Sequence, residues 1–199
     1  MTERTRWYLL PLVAALAVAP MGQAGAQSIS FGVMAGGSLS TFTGDFATDV
    51  KQYAGFIGGA FVHIGLAGFA AQPGIYYTTK GVKSDQFYGT AKQQTLDYIQ
   101  IPLVVRLTIG PVYVGGGPAI GFKIGCKLGS PGTTGNCGSF TRPDPKSTEI
   151  SGIGEAGLSF GKVSLGVRAD LGLSDVFNGP VNNINVRTRT LSAVVEVRF

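Results

Sequence analysis

Arg189-Thr190-Leu191-Ser192-Ala193-Val194-Val195-Glu196-Val197-Arg198-Phe199 is the stretch that decides the fold. Side chains of an extended chain alternate between two faces. Leu191, Ala193, Val195, Val197 and Phe199 therefore share one face, which is apolar throughout. Thr190, Ser192, Val194, Glu196 and Arg198 share the other. The segment reads as an amphipathic strand closing on an aromatic residue.

The same period of two recurs upstream. Eight segments carry it: 28–40, 53–64, 69–79, 96–108, 112–124, 148–160, 163–173 and 189–199. Each is near or above the roughly 9–11 residues that a tilted strand needs to cross a bilayer. In the seventh, Val163, Leu165, Val167, Ala169, Leu171 and Leu173 line up against Ser164, Gly166, Arg168, Asp170 and Gly172. In the fourth, Ile99, Ile101, Leu103, Val105 and Leu107 oppose Tyr98, Gln100, Pro102, Val104 and Arg106. Pro102 lacks a ladder donor and is expected to mark a bulge or a weak pairing. The 31 glycines and the β-branched content count against helices.

Connections alternate in length. Residues 65–68, 109–111 and 161–162 are tight turns, and 41–52, 80–95, 125–147 and 174–188 are long. Short turns at one end and long loops at the other are the asymmetry of outer-membrane barrels. The fold expected is all-β, an eight-stranded antiparallel up-and-down transmembrane barrel. A terminal strand ending on an aromatic residue suits outer-membrane insertion, so Phe199 is expected to be the signal that the insertion machinery reads.

The N-terminal residues fit export. Arg4 and Arg6 precede an apolar run, and Ala24-Gly25-Ala26 is an A-x-A cleavage site. Residues 1–26 are read as a cleaved signal peptide and 27–199 as one barrel domain. Removing Glu3, Arg4 and Arg6 takes the net charge from +5 to +4. That mild excess, with no basic cluster, argues against nucleic-acid binding. In an oxidising compartment Cys126 and Cys137 are expected to form a disulfide. Closing a loop of about twelve residues contributes roughly 3 kcal/mol in the chain-entropy model.

Parity alone does not say which face points outward. A soluble ligand-binding barrel turns its apolar face inward, and a membrane barrel turns it toward lipid. The polar face carries charges of both signs: Arg106, Glu155, Arg168, Asp170, Glu196 and Arg198. Otherwise it is rich in Gly, Ser and Ala, which suits a crowded interior. An eight-stranded barrel is just wide enough for side chains to fill. These six residues are expected to form a lumen charge cluster that plugs it.

Several motifs together resemble the PorT-like outer-membrane β-barrel family, an outer membrane protein β-barrel domain. They are Phe31-Gly32-Val33-Met34-Ala35-Gly36-Gly37, Gly55-Phe56-Ile57-Gly58-Gly59, Gln72-Pro73-Gly74-Ile75-Tyr76-Tyr77-Thr78-Thr79-Lys80-Gly81, Tyr98-Ile99-Gln100-Ile101-Pro102-Leu103, Gly115-Gly116-Gly117-Pro118 and Leu171-Gly172-Leu173-Ser174-Asp175. Gly74 and Gln100 stand where the family has acidic residues, and Val194 stands where its closing strand often has Gly. The resemblance implies a barrel in the outer membrane. For one branch it implies a part in secretion machinery, so a surface or secretion partner is an expectation.

Chemistry is sparse. His63 is the only histidine and falls before a short turn, away from the end where a lipid-modifying enzyme would work. The glycine runs lack P-loop spacing. No catalytic residue, metal site or cofactor is expected. At the long-loop end Lys51, Lys80, Lys83, Lys92, Lys123, Lys127, Arg142, Lys146, Arg187 and Arg189 outnumber Asp45, Asp49, Asp85, Asp144 and Asp175. Lys123, Lys127, Arg142 and Lys146 are the expected contacts to lipopolysaccharide phosphates. The reading is a non-enzymatic integral outer-membrane barrel with a structural or interaction role. The alternatives are a membrane-surface lipid-modifying enzyme, a small-solute channel and a soluble ligand-binding barrel.

Overall fold

The computed structural model describes residues 28–44, 50–66, 68–84, 93–130, 133–136, 146–174 and 186–199. Its strands are β1 (Ser28–Gly44), β2 (Val50–Leu66), β3 (Phe69–Ser84), β4 (Gln93–Ile109), β5 (Val112–Ser130), β6 (Thr133–Asn136), β7 (Thr148–Phe160), β8 (Val163–Gly172) and β9 (Val186–Arg198). All pairings are antiparallel. Around the sheet the order is β4-β3-β2-β1-β9-β8-β7-β5, and β4 pairs with β5 to close it. Eight strands are staves of a closed barrel. The ninth element, short β6, folds back on the loop end of β5, with Lys127 opposite Asn136.

The three tight turns each use a glycine with positive φ: Gly68 at 90°, Gly110 at 60° and Gly161 at 63°. A side chain is strained in that region, so these positions favour glycine. Neighbouring hairpins are tied at this end by hydrogen bonds from Thr108 N to Gly68 O, Ser159 N to Pro111 O and Arg198 N to Lys162 O.

The staves outrun their sequence-based ends. β3 continues to Ser84, β4 starts at Gln93 and β5 runs to Ser130. Lys80, Gly81 and Val82 pair with Leu96, Thr95 and Gln94, so the ladder persists where apolar alternation fades. The expected loops are correspondingly shorter. β2 to β5 make a tall wall of 16 to 19 residues per strand, whereas β8 has 10.

Pro102 interrupts pairing without shifting register: on the β3 side the ladder breaks between Pro73–Leu103 and Tyr76–Gln100. The register shifts lie elsewhere, between Gln52 and Ile57 on β2 and at Asp97/Tyr98 on β4.

Outward positions are apolar. Phe31, Ile75, Ile101, Val105, Ile120, Leu165, Leu191 and Val195 are all exposed. Their neighbours in sequence are buried and largely polar, including Ser38, Gln100, Arg106, Ser151, Arg168, Ser192 and Glu196. This inversion is what a barrel surrounded by lipid requires. Among the described residues the buried apolar side chains include two small clusters, Met34/Ile57/Phe61/Tyr76/Val194 and Val104/Ala119/Ile153, set among the interior polar residues.

Candidate functional site

The buried ionised residues form two groups inside the barrel. Near the turn end Arg106 projects inward from β4. Its Nη1 and Nη2 donate to both carboxylate oxygens of Glu196 on β9, at 2.7 and 2.6 Å. Its Nε donates to Glu155 on β7. By strand order β4 and β9 are four steps apart either way round, so the Arg106–Glu196 pair crosses the full diameter. Arg168 on β8 adds a second guanidinium, with Nη1 3.7 Å from Glu155. Gln72 donates from the opposite wall to Glu196 at 3.2 Å. Two arginines thus meet two glutamates.

Aromatic rings complete this layer. The Arg106 guanidinium lies 4.3 Å from the Tyr113 ring centroid, and that of Arg168 lies 5.0 Å from Tyr76. Cations over ring faces gain from the ring quadrupole, more so away from water. Tyr113 fits because β7 and β8 present Gly157 and Gly166 there. A Cβ on Gly157 would stand 2.6 Å from the Tyr113 hydroxyl.

Near the loop end Lys80 of β3 is 1% exposed. Its Nζ lies 3.1 Å from each oxygen of Glu149 on β7 and 3.0 Å from Asp170 on β8. β3 and β8 are also four steps apart, so this contact too spans the barrel. Gln100 donates to Asp170 at 2.6 Å and to Ser151 at 3.3 Å. The Thr188 hydroxyl donates to Glu149. Tyr98 places its ring 5.5 Å from the Lys80 ammonium. Here one cation meets two carboxylates.

Arg106, Glu155, Arg168 and Glu196 are thus in one cluster, and Asp170 is in the other. Arg198 departs from the expectation and joins neither. β9 ends at this residue, so its side chain reaches the turn rim, donating to Ser159 Oγ at 2.9 Å and to Gly161 O at 2.8 Å. His63 lies beside it, with Nε2 3.4 Å from Arg198 Nη1 and Nδ1 3.3 Å from Gln72 Oε1.

Lys80 is a second correction: expected among the loop cations, it is the centre of the upper cluster. Glu149, its partner, was not among the expected interior charges. Both were findable, since Lys80 keeps step with Tyr76 and Thr78, and Glu149 keeps step with Ser151, Ile153 and Glu155.

The expected lipopolysaccharide contacts do not share one face. The β4–β5 register shift puts Lys123 opposite inward Tyr98, whereas Lys127 stands opposite Thr95 and is exposed, 3.6 Å from Asp97. Lys146 is half-buried two residues before the start of β7, and Arg142 lies outside the described residues. Cys126 is on β5 opposite Leu96, and Cys137 lies outside the described residues. Phe199 is exposed on the apolar face, its N–H donating to Phe31 O at 2.8 Å. Among the described residues no group of three His, Cys, Asp or Glu is placed to hold a metal ion.

A lipid-facing apolar surface around a charged interior matches the comparison with protein families: the model for the outer membrane protein β-barrel domain covers residues 25–178. The chain belongs to that family. As a member of the outer membrane protein β-barrel family it is integral to the outer membrane. Among solved structures it is similar to Neisserial surface protein A (NspA), with a TM-score of 0.58 at 16% identity over 86% of this chain and 99% of that one. The attachment invasion locus protein Ail of Yersinia pestis, in complex with the heparin analogue sucrose octasulfate, gives a TM-score of 0.49 at 15% identity over 86% and 99%. At 16% identity the likeness to NspA is one of fold. No curated protein sequence matches this family member.

Proposed function

We propose that this protein is a sealed, non-enzymatic outer-membrane barrel that works as a scaffold through its loop end. The observation that carries this is the pair of ion clusters, each reaching across the barrel's diameter. Ions or solutes passing between these walls would have to break buried charge pairs, which costs several kcal/mol each. The sole histidine is engaged with Gln72 and Arg198 at the turn rim, which supports a structural role over a catalytic one. In planar bilayers the purified protein is expected to give no stable conductance; steady steps of porin size would overturn the proposal.

Several finer assignments belong to the same reading. Residues 1–26 act as a cleaved signal and 27–199 as the barrel. Phe199 marks the strand that the insertion machinery reads. Cys126 and Cys137 are bridged; Cys126 is not a free thiol, and ten residues separate the two cysteines in sequence. Lipopolysaccharide is the proposed partner of the cationic loop end, with Lys123, Lys127, Arg142 and Lys146 as contacts, alongside a surface or secretion partner suggested by the PorT-like motifs.

A further inference from the structure

The turn-end mouth carries a hydrogen-bonded belt with a single titratable link. Gln72 comes from β3, His63 from β2 and Arg198 from the end of β9. Arg198 Nη2 continues the belt to Ser159 Oγ of β7 at 2.9 Å, and Ser159 shares a 2.8 Å hydrogen bond with Ser164 of β8. β3, β2, β1, β9, β8 and β7 are neighbours in that order, so the belt spans an arc of six of the eight staves. On its inner side Gln72 also donates to Glu196, which ties the belt to the Arg106 cluster. His63 and Arg198 are both half-buried at the rim, within reach of water.

The partners dictate the protonation state of the ring. A guanidinium only donates, so Arg198 Nη1, 3.4 Å from His63 Nε2, requires that Nε2 be bare. The Glu196 carboxylate only accepts, so Gln72 must present its amide nitrogen there and its Oε1 to His63 Nδ1, 3.3 Å away. That requires a proton on Nδ1. The belt therefore holds a neutral ring in the Nδ1–H form. A second proton would go to Nε2, where it meets a donor and a positive charge. The charged side chains acting on the ring are Arg198 and Glu196 of β9 and Arg106 of β4. β3 adds uncharged Gln72, and on the β1 side Ser30 stands opposite His63 in the ladder. Glu196 offers little compensation, because Arg106 takes both of its carboxylate oxygens.

We infer that His63 is an acid-released clasp. Neutral, it joins β2 and β3 to Arg198. Protonated, it lets go of Arg198, which stays with the β7–β8 turn through Ser159 Oγ and Gly161 O. In the unfolded chain the imidazole takes up its proton near pH 6.5. The folded belt accepts only the neutral ring, so below that pH the unfolded state binds more protons and stability falls as acidity rises. His63 is the only histidine, and ordinary carboxylates stay largely ionised down to about pH 5. The range from pH 7.5 to pH 5 therefore isolates this ring. The clasp goes beyond the scaffold reading and does not depend on whether the lumen conducts.

Long-range proton–nitrogen NMR of the folded, nitrogen-15-labelled full-length protein in detergent reads the ring directly, because no other imidazole is present. At pH 7.5 Nδ1 is expected to carry the proton and Nε2 to be bare; at pH 5 both should be protonated. A ring protonated only at Nε2 at pH 7.5, or one still neutral at pH 5, would overturn the clasp. Urea titration of the folded electrophoretic band then tests the release. The wild-type midpoint should fall between pH 7.5 and pH 5, and H63Q and R198Q should each lose at least half of that response. A response kept in full by either variant would overturn the inference, as would a wild-type midpoint that does not move. The NMR arm uses the wild type alone and decides the matter even if a variant fails to fold.

Discussion

The turn-end and loop-end clusters solve one problem differently. Near the turns, charge is matched two against two: Arg106 grips Glu196 through both Nη atoms and Glu155 through Nε, and Arg168 stands behind. Arg168 keeps buried Nε and Nη2 donors with no hydrogen-bond partner among the described residues, a reserve of donors within the same layer. Near the loops a single ammonium serves two carboxylates, neutral Gln100 and Thr188 add one hydrogen bond each, and Asp170 Oδ1 has no hydrogen-bond partner among the described residues. The first cluster has redundancy; the second hangs on one residue.

That difference ranks the variants. Lys80→Met strands both Glu149 and Asp170 without a cation and should cost about 4 kcal/mol, within the usual range for breaking a buried pair. Urea titration of the folded electrophoretic band in lipid vesicles measures it. The triple variant K80M/E149Q/D170N should recover more than half of the loss, because neutral amides need no counter-charge. Arg106→Met should cost less, about 3 kcal/mol, since Arg168 can turn its spare donors to Glu155. A greater loss for Arg106→Met than for Lys80→Met in that titration would break the contrast. Arg198→Gln sharpens it from outside: this side chain holds only rim hydrogen bonds, so less than about 1 kcal/mol is expected. A loss as large as that of Arg106→Met would place Arg198 back in the interior network.

Alternation was enough to read which side chains share a face. It separated Arg106 from Val105 and Arg168 from Val167, and those pairs do part between interior and exterior. It could not say which inward groups meet. Arg106 and Glu196 are 90 positions apart and touch because closure of eight staves brings β4 opposite β9. Lys80 was misplaced because the apolar half of the pattern fades at Thr79 and Gly81 while backbone pairing goes on to Ser84. The shift at Asp97/Tyr98, which sends Lys123 and Lys127 to opposite faces, leaves no mark in composition. β6 was missed for a similar reason: Thr-Thr-Gly-Asn is polar at every position, so nothing alternates.

The seam between β1 and β9 has a consequence for timing. Its ladder runs from Gly32–Arg198 to Gly44–Val186 and so joins the first described strand to the last in sequence. Before β9 docks, β1 and β8 each present a row of unpaired backbone groups, which hydrocarbon does not tolerate. A seven-stave intermediate therefore has no stable resting place in the bilayer. Assembly must wait for the last strand to be delivered, and a weak β1 would go unnoticed until that final step.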